Sequence, residues 1–346
     1  MSHIQRFALT LAISTAGLTA VGCGGGDSPA ASNSTSAPAA GATPITIGYS
    51  AWPGWFPLKV AEEKGFFNKA GVNVKIRYFT DYTASIDALS AGQIDANTQT
   101  LNDTMAGVAS GVKLKIVVNT DFSSGNDAVI VDKSITSVKG LKGKKVAAEA
   151  GVVDHFLLLQ GLKANGLTEK DIDFRGTPTD AAAAAFASGQ FDAVAVFAPF
   201  TLEALKRPGS KVLFSSKNYP GSIPDHIVFK AETVSSRSAD IDKVVSAWYA
   251  TLDYIKANPV EATAIMAKQA GISPADYGKL NAGTQILDAK SAAAAFVDAA
   301  APTSLPATAR IINPFLVESG FTKTAATLDG LFAPEFTATY LTGAGR

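Results

Sequence analysis

Acids and flat aromatic rings share the same short turn segments of this sequence, and cations do not. Trp52, Trp55 and Phe56 lie in residues 50–56, Asp81 in 80–83, Asp103 in 99–104, and Asp127 follows Asn126. Glu149, Asp154, His155 and Phe156 lie in residues 149–156, Phe197 opens 197–200, and Asp225 and His226 end 223–226. None of these segments carries a lysine or an arginine. Carboxylates beside aromatic faces suit a small cation, through charge-assisted hydrogen bonds and cation–π contact. Each acid also has a plainer role. Asp81 and Asp154 precede helices and can serve as N-caps, and Asp103 can simply be solvated. Backbone N–H groups at helix starts can hold an anion unaided, so an anionic ligand stays open as the second reading.

Catalytic chemistry has less support. His155 and His226 each follow an aspartate, but no His-Glu-x-x-His, Gly-x-Ser-x-Gly or P-loop pattern is present. The histidines read as hydrogen-bonding pocket or core residues, and no metal or cofactor is expected.

These segments fall at the carboxyl ends of strands, where α/β sheets bind ligands. Residues 45–49 alternate as a strand, 50–56 turn, and a helix starts near Pro57 with Leu58, Val60 and Ala61 as its apolar stripe. Strands follow at 72–79, 94–97, 113–118 and 128–131, with helices between them and a polar loop at 121–127. The pattern then restarts, with strands at 146–148, 172–174 and 191–197 separated by helices at 154–164 and 180–188. The octapeptide Leu89-Ser90-Ala91-Gly92-Gln93-Ile94-Asp95-Ala96 returns as Phe186-Ala187-Ser188-Gly189-Gln190-Phe191-Asp192-Ala193. Two similar α/β halves are expected, with parallel sheets. Residues 227–230 read as a strand returning to the first half, and only helices are expected after it.

The 346 residues suffice for two sizeable cores. Thirty Lys and Arg balance thirty Asp and Glu, and no basic run offers the footprint of a nucleic-acid binder. The first residues read as an export signal, with Arg6, the apolar run 7–21, and Gly22-Cys23. Ala20-Val21-Gly22-Cys23 resembles a bacterial lipobox, although alanine stands where leucine is usual and the basic segment is thin. An ordinary signal peptide cut near Gly22 is the competing reading. Residues 24–43 are rich in Gly, Ala, Ser, Pro and Thr and read as a flexible tether. Cys23 is the sole cysteine, which rules out an intrachain disulfide.

Several stretches together resemble the substrate-binding proteins of nitrate/sulfonate/taurine-type ABC importers, whose fold also covers thiamine-precursor-binding proteins. They are Ile47-Gly48-Tyr49, Val60-Ala61-Glu62-Glu63-Lys64-Gly65-Phe66-Phe67, Ala91-Gly92-Gln93-Ile94-Asp95, Leu141-Lys142-Gly143-Lys144-Lys145-Val146 and Phe197-Ala198-Pro199. The resemblance implies a two-lobed α/β periplasmic-binding-protein fold with two interlobe crossings. It implies a small ligand in the cleft, hinge closure, and a membrane permease as partner. The expected layout is a signal peptide at 1–22, a lipid-anchored tether at 23–43, one lobe from 44–131 with 231–346, and a second from 132–230. A monomer at the periplasmic or outer face of the inner membrane is expected.

The resemblance also bears on Phe197, which matches an aromatic before Ala-Pro in taurine-type members, and on Asp225, near a carboxylate that meets ligand amines. The expected ligand-binding set is Trp52, Trp55, Asp81, Asp103, Asp127, Asp154, His155, Phe197 and Asp225. A guanidine-, amine- or taurine-like ligand is the first expectation. Nitrate or an aliphatic sulfonate is the second. A thiamine-pyrimidine-synthase-like enzyme comes last, because it needs a reactive His, Cys or Lys centre and Cys23 belongs to the export signal.

Overall fold

One local rule builds two separate sheets. The structure, a computed structural model, describes residues 43–343. In chain order the strands are β1 (Ile45–Tyr49), β2 (Val74–Tyr78), β3 (Ala96–Thr100), β4 (Leu114–Ser123), β5 (Asp127–Val131), β6 (Lys145–Ala148), β7 (Asp173–Gly176), β8 (Ala193–Phe197), β9 (Lys211–Ser215), β10 (Pro224–Lys230) and β11 (Thr284–Ile286). The first sheet runs β11-β4-β10-β3-β1-β2 and the second β7-β6-β8-β5-β9. β1 pairs in parallel with β2 and β3, and β6 in parallel with β7 and β8. The strands β10, β11, β5 and β9 pair antiparallel.

The repeated octapeptide has one structural meaning in both halves. Its aspartate stands just before β3 or β8 and reaches back to the start of the neighbouring parallel strand. Asp95 Oδ2 accepts from Thr46 N at 2.8 Å, and Asp192 Oδ2 accepts from Lys145 N at 2.9 Å. Each bond satisfies a backbone donor at a strand end, which fixes where that strand begins.

The helices cover these sheets as their patterns require. Helix Pro57–Glu63 opens with proline, whose missing N–H costs nothing at that position, and buries Leu58, Val60 and Ala61. It stops before Gly65, which adopts φ +68°, a conformation that disfavours any residue with a Cβ. Helix Ser238–Ala257 packs against it, with Trp248 fully buried. β8 is buried throughout and reads as a continuous apolar run, as a strand covered on both faces must. No helix among the described residues is long and apolar enough to cross a membrane.

The chain leaves the first sheet after β4 and returns to it at β10. Boundaries at 131/132 and 230/231 therefore each fall one strand late. β5 belongs with β8 and β9, and β10 with β3 and β4. An apolar strand has the same sequence whichever sheet it joins, so the pattern marks the strand and not its partners. Three further expectations are corrected. The polar loop expected at 121–127 is only 124–126, its start being the end of β4 and Asp127 the start of β5; β9 is an additional strand; and β11 interrupts the late helices by pairing with β4. The expected signal peptide, Cys23 and all of the tether but Thr43 lie outside the described residues.

Candidate ligand-binding site

The turn after β1 delivers the first two walls. Trp55 N and Phe56 N both donate to Trp52 O, which curls the backbone so that both indoles face inward. Tyr277 O–H donates to Pro53 O at 3.1 Å and pins the turn from helix Pro274–Leu280. Tyr82, at the start of helix Tyr82–Ser90, and Phe197, at the end of β8, supply two more rings. The four rings contact one another in a closed circuit. Ring centres are 6.2 Å apart for Trp52–Trp55, 5.5 Å for Trp55–Tyr82, 6.0 Å for Tyr82–Phe197 and 6.5 Å for Phe197–Trp52.

Asp127, Asp225 and Thr100 join these rings around a tight cavity of about 10 Å³, with Ala51 and Val153 closing it. That is about the space of one water, so the rings and acids stand almost in contact around it. Asp127 is the first residue of β5, and Asp225 the second of β10. They are 2% and 1% exposed, and the Oδ2 of each has no hydrogen-bond partner among the described residues. A buried carboxylate oxygen left in that state is costly unless a ligand or a proton meets it.

Behind the cavity wall the acids are anchored. Asp103 Oδ2 accepts from Tyr82 O–H and Thr100 Oγ1, each at 2.7 Å, and its Oδ1 accepts from Asn102 Nδ2 at 2.7 Å. Asp121 Oδ1 accepts from Trp52 Nε1 at 2.9 Å, and its Oδ2 from Thr120 Oγ1 at 2.9 Å. Glu149 accepts from Thr83 N and Oγ1 at 3.1 and 2.5 Å, and from Thr179 N and Oγ1 at 3.2 and 2.8 Å. It thereby ties a helix of the first sheet to a helix of the second. Asp154 Oδ2 lies 2.7 Å from Thr179 Oγ1. A hydroxyl has one proton, so Thr179 donates to Glu149 and receives from Asp154 when Asp154 carries its own proton.

Burial raises the carboxyl pKa values of five aspartates here. Asp103 and Asp127 are each pushed up to about 7 by desolvation, although hydrogen bonds to the charged forms pull the other way. Asp154 and Asp225 rise well above the ordinary carboxylate range, first by desolvation and then by neighbouring acids. Asp121 rises for the same first reason. Among the described residues, no lysine, arginine or histidine lines the cavity.

The architecture and the residues now carry a family assignment. Residues 52–262 match the NMT1/THI5-like family.

The chain belongs to the NMT1/THI5-like family.

Two curated relatives of this NMT1/THI5-like protein have informative names. A putative aliphatic sulfonates-binding protein of Bacillus subtilis (strain 168) is 32% identical over 169 residues, 47% of this chain and 51% of that one. The taurine-binding periplasmic protein of Escherichia coli (strain K12) is 26% identical over 162 residues, 46% of this chain and 50% of that one. Each match thus spans about half of the relative's length. Among solved structures, the alkanesulfonate-binding protein SsuA from Xanthomonas axonopodis pv. citri, bound to MOPS, gives a TM-score of 0.70 at 18% identity, covering 84% of this chain and 99% of that one. The desulfurization enzyme DSZB gives a TM-score of 0.60 at 16% identity, covering 86% and 99%. The fold is therefore the periplasmic-binding-protein-like α/β fold, and it hosts both binding and catalysis.

Of the expected set, Trp52, Trp55, Asp127, Phe197 and Asp225 line the cavity of this family member, with Asp103 and Asp154 directly behind. Two expected residues lie elsewhere. Asp81 is exposed and caps helix Tyr82–Ser90, its Oδ1 accepting from Ala84 N at 2.9 Å. His155 stacks on Phe174 at 4.3 Å and meets Glu169 Oε2 at 2.5 Å, away from the cavity. Burial lowers its pKa despite that glutamate. Asp154 and His155 are consecutive on helix Val153–Ala164, so about 100° of rotation separates them and only one can face the cleft. His226 points to the other face of the first sheet, where Nε2 lies 2.7 Å from Thr104 Oγ1, and burial holds its pKa down to about 3. Asp121, Tyr82 and Thr100 were not in the expected set. Their signal was positional: Thr100 is the last residue of β3, and Tyr82 the first of its helix.

The turn and Asp121 interlock. A Cβ on Gly54 would sit 2.0 Å from Asp121 Oδ2. Gly54→Ala must therefore displace either the turn or the carboxylate that holds Trp52. The expected loss of stability is roughly 1–3 kcal/mol, read by thermal unfolding. An unchanged melting temperature would mean that the turn is not locked onto Asp121.

Proposed function

We propose that this protein is the solute-binding component of an ABC importer, and that it captures a small nitrogen-containing cation or zwitterion: guanidinium, a compact amine, or a taurine-like molecule. The observation that carries the reading is the closed circuit of four aromatic rings around two carboxylates whose Oδ2 atoms lack partners. Ring faces attract cations, and a carboxylate can accept two parallel N–H bonds from a planar guanidinium. The cavity lining offers no opposite charge to an anion.

The relatives' names favour the second reading, an anion such as an aliphatic sulfonate. It has support in this chain too. Trp55 Nε1 is a buried donor without a partner, and carboxyl groups held neutral can donate to an anionic oxygen. Taurine carries both charges and fits either description. Calorimetry with guanidinium chloride, taurine, nitrate and an alkanesulfonate decides between them. Tight binding of guanidinium or an amine supports the cation. Tight binding of the sulfonate or nitrate, with none for any amine, assigns the anion.

A binding role rather than catalysis belongs to the same proposal. The two histidines nearest the cluster are buried and engaged with Thr104 and Glu169, and neither lines the cavity. Recovery of the bound ligand chemically unchanged after long incubation, read by NMR, tests this. Surface anchoring through Cys23 is proposed from the lipobox-like Ala20-Val21-Gly22-Cys23 alone. Cys23→Ser should release the protein from membranes in fractionation, and retention with unchanged processing would rule the anchor out.

A further inference from the structure

Asp121 and Asp225 face each other across an antiparallel pair, as direct partners of β4 and β10, at a break in the register. Direct partners in an antiparallel pair place their side chains side by side on one face, and both acids are buried, Asp121 at 0% and Asp225 at 1% exposure. Two buried carboxylates so placed cannot both ionise cheaply, so one of them keeps a proton. The remaining capacity of the pair is divided unequally. Asp121 has both oxygens engaged, by Trp52 Nε1 and by Thr120 Oγ1. Asp225 has its Oδ2 unpartnered at the cavity wall. The pair thus has a closed end, fixed to the aromatic wall, and an open end facing the ligand space.

We propose that Asp121 and Asp225 work as one acid pair that holds a proton in the ligand-free protein and releases it to solvent when a cationic ligand docks on Asp225. Asp121 is the positioning residue. It orients Trp52, and it sets how many protons Asp225 carries. The step is a proton exchange. The ligand's N–H groups replace the pair's proton at Asp225, and the proton passes to water or buffer. The inference rests on the cation reading above and deepens it, because it makes selectivity depend on a permanent positive charge at the pH of binding. A neutral molecule of the same shape cannot displace the proton.

The groups facing the pair would not supply a competing cation. Asp127 approaches from β5, Asp103 and Tyr82 from the helices that start at Leu101 and Tyr82, and Tyr277 from helix Pro274–Leu280. His226, next to Asp225, lies on the opposite face of its strand and is neutral over the working range, since burial holds it at about 3.

The test is calorimetry of the wild-type protein with guanidinium chloride between pH 5 and pH 7, in two buffers of different ionisation enthalpy. The expected result is release of about one proton per ligand bound, with affinity rising about tenfold per pH unit. Asp121→Asn is the companion variant. Its amide can donate to Asp225 while its carbonyl still accepts from Trp52, so proton release per ligand should fall below that of the wild type. Guanidinium binding to the wild type without proton release would overturn the acid pair and leave the cation reading standing. Equal proton release from wild type and Asp121→Asn would also overturn it, by assigning the proton to other acids. Failure of every cation to bind, with an alkanesulfonate bound instead, would take down both.

Discussion

Asp225→Asn is expected to weaken guanidinium binding by a factor of several hundred or more, while the protein stays folded. The reason is the position of Asp225, 1% exposed and with one oxygen free at the cavity wall. Removing one partner of a buried charge pair costs on the order of 3–5 kcal/mol. Much of that cost is the ligand charge left without a counterion in a dry site. Asparagine keeps the shape, so the cage of rings should persist, and circular dichroism should be unchanged. Trp52→Ala should weaken binding less, since a single cation–π contact is worth about 2 kcal/mol when desolvated. The control that reverses the conclusion is an alkanesulfonate. If it binds tightly to wild type and equally tightly to Asp225→Asn, the acids are not the ligand's counterions.

The ligand-free protein is expected to lose stability as the pH rises from about 4 to about 7, contrary to the habit of most proteins. Asp103 and Asp127 titrate at about 7 in the folded chain against an ordinary value of 3.8. Asp154 and Asp225 shift in the same direction. The folded state therefore holds more protons than the unfolded state throughout that window. Stability is fully present below the unfolded value and falls as the pH passes up through the folded one. Thermal unfolding at pH 5 and pH 8 should show the lower melting temperature at pH 8. Each kcal/mol lost corresponds to roughly 2–4 °C for a chain of this size class. A few millimolar guanidinium should raise the melting temperature more at pH 8 than at pH 5, because a bound cation compensates the ionised cluster. A melting temperature that climbs between pH 5 and pH 8 without ligand would contradict the burial of these acids.

Much of this site was legible in the sequence, for a physical reason. Strand ends can be read from alternation and from glycine stops, and in α/β sheets ligands gather at those ends. Trp52, Trp55, Asp127, Phe197 and Asp225 were found in that way, and all five line the cavity. What escaped was whatever depends on direction. Asp81 sits beside a strand end, but its side chain turns back onto the Ala84 amide. His155 follows Asp154 and points away from it around the helix. Asp121 was hidden because β4 continues past Val118 through polar residues, Asn119, Thr120 and Asp121, which alone suggest a loop. They form a strand because β10 and β11 flank them on both sides, pairings of high sequence separation that no local pattern carries. The same non-locality put β5 in the opposite sheet from the one its neighbours in sequence suggested, whereas 227–230 does return to the first sheet as read.

The arrangement of the tryptophans gives this protein an optical signal of its own. The chain has three, and two of them, Trp52 and Trp55, stand in the cavity wall. Trp52 donates its indole N–H to Asp121, so its emission senses the charge of the acid pair directly. The third, Trp248, is fully buried in the long helix Ser238–Ala257 and supplies a constant background. Occupancy of the site can therefore be followed by intrinsic fluorescence, with no dye attached, in the unmodified protein. A crude extract of candidate solutes can be screened by titration alone, and the shift should vanish when both wall tryptophans are replaced by phenylalanine.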